Sequence, residues 1–363
     1  MKVEGRWRRS IERADDGGAV VVLDQTRLPY AIAWLELADL AGAARAIRDM
    51  HVRGAPLIGA TAAYGVALAM RADATDAALA AACATLAATR PTTINLRWAL
   101  DRMRGALAPV AVGARAAAAL VAAAQICDED VAQCEAIGRH GLALIRAAAA
   151  RRPGQPVRVL THCNAGWLAT VDWGTALAPI YMAHEAGVPV EVWVEETRPR
   201  NQGMLTAWEL AQHGVPHTVI ADNAGGHLMQ QGLVDLCIVG TDRTTKNGDV
   251  CNKIGTYLKA LAAHDCGVPF YVALPSPSID WTVGEPAEIP IEERAGDEVR
   301  WVAGRDAAGA PARVEVVPPG SPVGNPAFDV TPRRLVTGLI TERGTTAASA
   351  AGLAALFPEH AAR

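Results

Sequence analysis

VDLCIVGTDRTTKNGD, residues 234–249, decides the fold of this chain: a short apolar run stops abruptly in a polar cluster that carries Asp242. Four other stretches share the pattern: VRVLTHCNAG (157–166), VEVWVEETRPRNQG (190–203), HTVIADNAGG (217–226) and PFYVALPSPS (269–278). Runs of four to seven Val, Ile and Leu residues, separated by segments of helical length, predict buried parallel strands. In such sheets ligands bind in the crevice outside the carboxyl ends of the strands. The pattern therefore gathers Cys163, Glu195, Arg198, Gln202, Asp222, Asp242 and Ser276 along one rim.

Upstream of these runs the chain reads differently. GAVVVLDQTRLPYAIAWLEL (18–37) predicts a small β element with a turn at Leu28-Pro29. Helical spacing then dominates: DLAGAARAIRDM, APLIGATAAYGVALAMRA from Ala55, LRWALDRMRGAL, and a long stretch from about Ala114 to Ala149. RRPGQP (151–156) ends the series. The expected architecture is α/β: a smaller, mostly helical N-terminal domain with a small β element (1–128), then a C-terminal doubly wound, Rossmann-like parallel-sheet domain (129–352). A Pro- and Gly-rich segment from about Glu285 to Pro322 predicts an excursion or hairpin, and Thr331-Pro332 predicts the cap and first turn of a last helix.

Composition bounds the function. With 363 residues, 51% hydrophobic and 20% charged, the chain is globular and large enough for two cores. A formal net charge of -4 argues against nucleic-acid or membrane-surface partners while leaving room for a local basic pocket. The seven cysteines form no C-x-x-C pair, so neither a zinc framework nor a disulfide scaffold is indicated. No apolar signal core opens the sequence, and a cytoplasmic setting is expected. GxGxxG and the P-loop pattern are both absent, which points away from dinucleotides and nucleoside triphosphates.

Several motifs carry chemistry. HVRGAPLIG (51–59) places Arg53 beside a helix start with Pro56 in its first turn: an anion site, or only a tight turn that Gly54 permits. Arg90, in TRPTTINL, reads as a partner-reaching or a solvated arginine. Cys163 precedes Asn164-Ala165-Gly166; a following helix start and a protonated His162 would both favour its thiolate, whereas the alternative is an inert buried thiol. Asp242 at a strand end is either a proton-handling carboxyl in an apolar crevice or a loop cap. Lys253, read at a helix amino terminus, opposes the helix dipole unless an anion is bound there. Asp249 reads as that helix's cap. ETRPRNQG adds two arginines and Gln202. Together they describe a site for a phosphorylated polar small molecule.

RGAPLIG, RPTTINL, THCNAGWLAT, EETRPRNQG, DNAGG, GTDRTTKNGDVCNKIGT and NPAFDVTP occur in order over about residues 20–345. By them the chain resembles the methylthioribose-1-phosphate isomerases, whose superfamily includes the regulatory subunits of initiation factor 2B. The resemblance implies an aldose–ketose isomerase of methionine salvage, with Cys163 and Asp242 as the catalytic pair. It also implies substrate contacts from Arg53, Gly54, Ala55, Arg90, Gln202, Asn252 and Lys253, no metal or nicotinamide cofactor, and a homodimer. Related readings are an isomerase of 5-deoxyribose 1-phosphate or ribose 1,5-bisphosphate, and a non-catalytic regulatory subunit, against which the Cys163 and Asp242 pair argues. Residues 295–317 depart from the family pattern and are expected to lie away from the motifs.

Overall fold

The computed structural model describes residues 1–14 and 18–360. Three short strands, β1 (Ile11–Arg13), β2 (Val20–Leu23) and β3 (Trp34–Leu37), form an antiparallel sheet. It is the expected β element, extended by one strand at its start. Five helices follow: α1 (Leu40–Arg48), α2 (Ala55–Ala72), α3 (Asp76–Ala87), α4 (Ile94–Leu107) and α5 (Val112–Arg151). Asp39 caps α1 by accepting from Gly42 N–H at 2.7 Å. Helix α2 is the core of this layer. It is the one helix among the described residues long and apolar enough to cross a membrane, yet 78% of it is buried against its neighbours. Its small residues let α1, α3, α4 and α5 approach closely around it.

Helix α5 runs unbroken for 40 residues and belongs to both layers. Ala119, Ala123, Ile126 and Cys127 pack with α2 and α4, whereas Ile137, Ile145 and Ala148 pack onto the large sheet. The division expected near residue 128 thus falls inside a continuous helix.

The strands after α5 are β4 (Val157–Thr161), β5 (Val190–Glu195), β6 (His217–Ile220), β7 (Leu236–Val239), β8 (Arg243–Thr245), β9 (Val250–Lys253), β10 (Phe270–Ala273), β11 (Ile279–Asp280), β12 (Phe328–Thr331), β13 (Gly338–Thr341) and β14 (Gly344–Thr346). Seven of them make one sheet in the order β14-β13-β10-β7-β4-β5-β6, parallel throughout except for the edge strand β14. The six parallel strands therefore lie 6-5-4-1-2-3 by sequence, the order of a doubly wound sheet. Period-two alternation assigns the faces. Leu236 and Ile238 join α5, helix α6 (Ala178–Glu185) and helix α7 (Gly203–Gln212) on one side. Cys237 and Val239 join helices α8 (Gly225–Gln230) and α9 (Thr256–Asp265) on the other.

All five strands read from the sequence are in this sheet. The run from His217 is its edge, and Thr218 and Val219 are exposed there instead of buried. β13, GLIT, is not among the five runs read from the sequence. A second sheet, β11-β8-β9-β12, extends from the loops at the strand ends. Thr331-Pro332 does not start a helix: Thr331 ends β12, and a single 3-10 turn, Arg333–Leu335, follows. The Pro- and Gly-rich excursion is a hairpin, Trp301–Arg305 against Pro311–Glu315.

Candidate active site

Order reverses in the large sheet between β4 and β7, so the loops leaving these strands diverge and open a crevice. Cys163 follows β4 and Asp242 follows β7. The two residues therefore flank the switch point. Above it lies a hollow between the strand ends and the helical layer. Every residue singled out from the sequence as catalytic or substrate-binding lines it: Cys163, Asp242, Arg53, Gly54, Ala55, Arg90, Gln202, Asn252 and Lys253. Glu195, Arg198 and Asp222, also placed on the rim, turn away from it into supporting contacts. Ser276 is absent from the lining, where its neighbours Pro275 and Ser278 appear instead.

The helical layer supplies the opposite wall. Gly54, with φ +87°, ends the loop before α2, and a Cβ on it would lie 2.5 Å from Ala169. Only glycine allows both that backbone and that approach. No side chain caps α2, so its first turn, with Pro56, faces the hollow as an anion-favouring helix start. Arg53 is clamped to the opposite loop: its two terminal nitrogens donate to Asn164 Oδ1 at 2.5 Å and to Asn164 O at 2.8 Å.

Five cationic side chains line the hollow, Arg53, Arg90, Arg200, Lys253 and Arg294, against one carboxyl, Asp242. Arg90 is not a surface arginine. Its side chain is 12% exposed, Glu292 lies 3.5 Å from it, and its buried Nε has no partner among the described residues. Gln202 Oε1 is likewise buried and unpartnered. Arg90 Nε is a donor that suits an anion's oxygen, and Gln202 Oε1 is an acceptor that suits a hydroxyl.

Lys253 ends strand β9 and does not start a helix; α9 begins at Thr256. Its ammonium donates to Ala327 O at 2.7 Å and lies over the Phe328 ring at 4.4 Å. Burial lowers its pKa, opposed by Cys163 and Asp242. Asp249 does not cap α9. It accepts instead from Arg333 N and Nη1, at 2.9 and 3.1 Å, and Asp329 takes Gly255 N–H and Tyr257 N–H at the start of α9.

Burial raises the Asp242 carboxyl above its ordinary range, although Lys253, Arg90 and Arg53 pull it down. The Cys163 thiol is also raised by burial, against the pull of Arg53 and Lys253. The expectation of a favoured thiolate thus fails, for two reasons. No α-helix starts after Cys163: a 3-10 turn occupies Trp167–Ala169, and α6 begins only at Ala178. His162 is committed elsewhere, Nδ1 to Glu195 Oε2 at 2.7 Å and Nε2 to Ile254 O at 2.9 Å. Cys163 itself has φ +67°, a conformation costly outside glycine. Two buried threonines hold it there: Cys163 N–H donates to Thr197 Oγ1 at 2.8 Å, and Thr206 Oγ1 donates to Cys163 O at 2.8 Å.

His162, Glu195 and Asp222 bring potential ligand atoms within 4.8 Å of one another. Lys259 places its ammonium 3.3 Å from Glu195 Oε1 and donates to Asp222 O, so the cluster is a buried ion-pair network. The segment after Arg294 does not lie away from the motifs. Glu298 pairs with Arg294 at 2.8 Å and Arg200 at 3.1 Å, and Val299 O accepts from Arg198. Glu298, with Asp297, Trp301 and Arg313, walls a second hollow that shares Met50, Arg53, Arg200 and Gln202 with the first. Arg294 sits in IEERAGDE, a charged run without periodicity, and nothing in that pattern marked it.

A doubly wound sheet with a cation-lined hollow at its switch point defines an α/β protein built to hold a phosphorylated small molecule. The model of the Initiation factor 2 subunit family matches residues 51–348, and the chain belongs to this family. It is 66% identical to a methylthioribose-1-phosphate isomerase of Methylorubrum extorquens over 99% of both chains. To the enzyme of that name from Gluconobacter oxydans it is 63% identical, over 99% of each. Among solved structures, 5-methylthioribose 1-phosphate isomerase from Pyrococcus horikoshii superposes with a TM-score of 0.83 at 37% identity, over 98% of this chain and 97% of that one. The translation initiation factor eIF-2B, subunit delta, from A. fulgidus gives 0.80 at 37%, over 97% of this chain and all of the other.

Proposed function

We propose that this chain is an aldose–ketose isomerase that converts 5-methylthioribose 1-phosphate to 5-methylthioribulose 1-phosphate, a step of methionine salvage. The observation that carries the reading is the placement of Cys163 and Asp242 on either side of the switch point, in one hollow with five cations. Phosphate on C1 blocks spontaneous opening of the furanose to a free aldehyde, so an acid must assist. Asp242, held toward its neutral form by burial, protonates the ring oxygen as the C1–O bond breaks. The oxidation level then passes from C1 to C2: C1 gains a hydrogen, C2 loses one, and the C2 hydroxyl becomes the ketone as its proton returns to the Asp242 carboxylate left by ring opening. Cys163, a neutral thiol, donates a hydrogen bond to the oxygen on which charge develops.

Arg53, the first turn of α2 at Gly54 and Ala55, Arg90 and Lys253 neutralise the phosphate. Gln202 and Asn252 orient the sugar hydroxyls. The apolar wall of the outer hollow, Leu28, Pro29, Met204, Leu205 and Trp301, suits a methylthio group better than a second phosphate. The reading extends to a cytoplasmic homodimer of chains with a helical unit, 1–128, and a Rossmann-like unit, 129–352.

NMR of 5-methylthioribose 1-phosphate with the pure protein tests this: the C2 ketone carbon of the open-chain product is expected to appear. The 5-deoxy and 5-phospho analogues, run alongside, are expected to turn over more slowly. The subunit-delta relative motivates one rival reading, a non-catalytic regulatory protein. No ketone at any substrate concentration, with tight nucleotide binding, would decide for it.

A further inference from the structure

Glu209 is fully buried, takes no part in the chemistry above, and lies behind the Cys163 loop on α7. Its Oε1 accepts from Asn164 Nδ2 at 2.8 Å and Leu168 N–H at 3.1 Å; its Oε2 accepts from Trp167 N–H at 2.9 Å and Tyr181 O–H at 2.8 Å. The loop is wrapped so closely on this carboxyl that a Cβ at Gly166 would lie 1.8 Å from Oε2. Burying a carboxyl is costly unless its oxygens are satisfied, and here each oxygen takes two donors.

Asn164 joins this carboxyl to the hollow. Its Nδ2 faces Glu209 and Thr206, while its Oδ1 and backbone oxygen accept the two terminal nitrogens of Arg53. A carboxylate only accepts and a guanidinium only donates, so one orientation of the Asn164 amide satisfies both ends. We propose that Glu209 is a positioning residue: through the Asn164 amide it fixes the Arg53 guanidinium against the hollow and so sets its affinity for phosphate.

Glutamine at 209 keeps the shape and breaks the logic. Its –NH2 must face either Asn164 and Leu168 or Trp167 and Tyr181, and each pair includes a backbone N–H that can only donate. Turned toward Asn164, it favours the flipped amide, which sets –NH2 against the Arg53 guanidinium. The inference rests on the hollow being a phosphate site.

The test compares wild type with Glu209→Gln in the full chain. It measures kcat and KM for 5-methylthioribose 1-phosphate, and the Kd of inorganic phosphate by calorimetry. KM and the phosphate Kd are expected to rise about tenfold with kcat within about threefold, and Glu209→Gln is expected to add less than about twofold in an Arg53→Ala background, because coupled residues are non-additive. Unchanged phosphate affinity, or full additivity with Arg53→Ala, overturns the proposal. Asn164→Ala severs the same relay and is expected to give the same loss of phosphate affinity. If Glu209→Gln does not fold, unchanged phosphate binding in Asn164→Ala still refutes it. A wild-type chain that binds phosphate but does not isomerise the sugar counts against the isomerase reading alone.

Discussion

Asp242→Asn separates proton handling from substrate binding. The amide has the size of the carboxyl but cannot deliver a proton to the ring oxygen. A positioned general acid or base contributes typically about 10²- to 10⁴-fold, about 3 to 5 kcal/mol of barrier. Among the described residues no other carboxyl lines the hollow, Cys163 is held as a weak thiol acid, and the Lys253 ammonium is tied to Ala327 O, so the loss in kcat is expected near about 10³-fold. Binding should not suffer: the substitution removes the one negative charge facing five cations, so KM is expected to stay level or fall. The wild-type rate should decline as pH rises through the raised pKa of Asp242, and the residual rate of the variant should lack that limb. Stability follows the same sign. The folded state binds the Asp242 proton more tightly than the unfolded chain does. That contribution is full below the ordinary carboxylate pKa and is lost as pH rises through the folded value. The variant should therefore gain stability relative to wild type at alkaline pH and not in acid. The assay is ketone appearance by NMR from pH 5 to 9, with thermal unfolding in the same buffers. Turnover within about tenfold of wild type, or a large rise in KM at constant kcat, would remove Asp242 from the chemistry.

Three further outcomes are expected. Alkylation of Cys163, followed by peptide mass spectrometry, should be slow at neutral pH, accelerate above the ordinary thiol range, and be suppressed by substrate; equal labelling with and without substrate contradicts its place in the hollow. Gly54→Ala adds left-handed strain of about 1–2 kcal/mol and a Cβ 2.5 Å from Ala169, and should abolish phosphate binding and lower the melting temperature. Asp130 is pushed up to about 7 by burial while accepting from Val171 N–H at 2.7 Å. Wild type should lose stability from this group as pH rises from about 4 to 7, and Asp130→Asn should flatten that slope in calorimetry.

The strand runs were legible because fully buried parallel strands leave contiguous apolar stretches, and each polar cluster after them marked a strand end. Run length alone does not distinguish edge from centre, so the His217 run reads as buried although Thr218 and Val219 are exposed. The pattern also missed Gly338–Thr341, which is as long as His217–Ile220 and is held by its partners in the sheet. At the site, the motifs and the family resemblance they carry brought together nine residues that line one hollow. The ionisation state of Cys163 was not legible. For Cys163 the motif offers a helix start and a protonated His162 to favour the thiolate; burial raises the thiol instead, and a 3-10 turn stands where the helix start would be.

The sequence by itself determined the alternation of strand and helix, the helical layer ahead of it, and the motifs that hold polar residues at strand ends. Those are local properties, carried by hydrophobic period and by glycine and proline placement. Tertiary structure alone decided that β4 and β7 are neighbours, that Arg53 reaches Asn164, and that Glu209 lies behind both. Spatial adjacency between segments 111 residues apart and the loss of solvent around a carboxyl arise only when the layers close on each other.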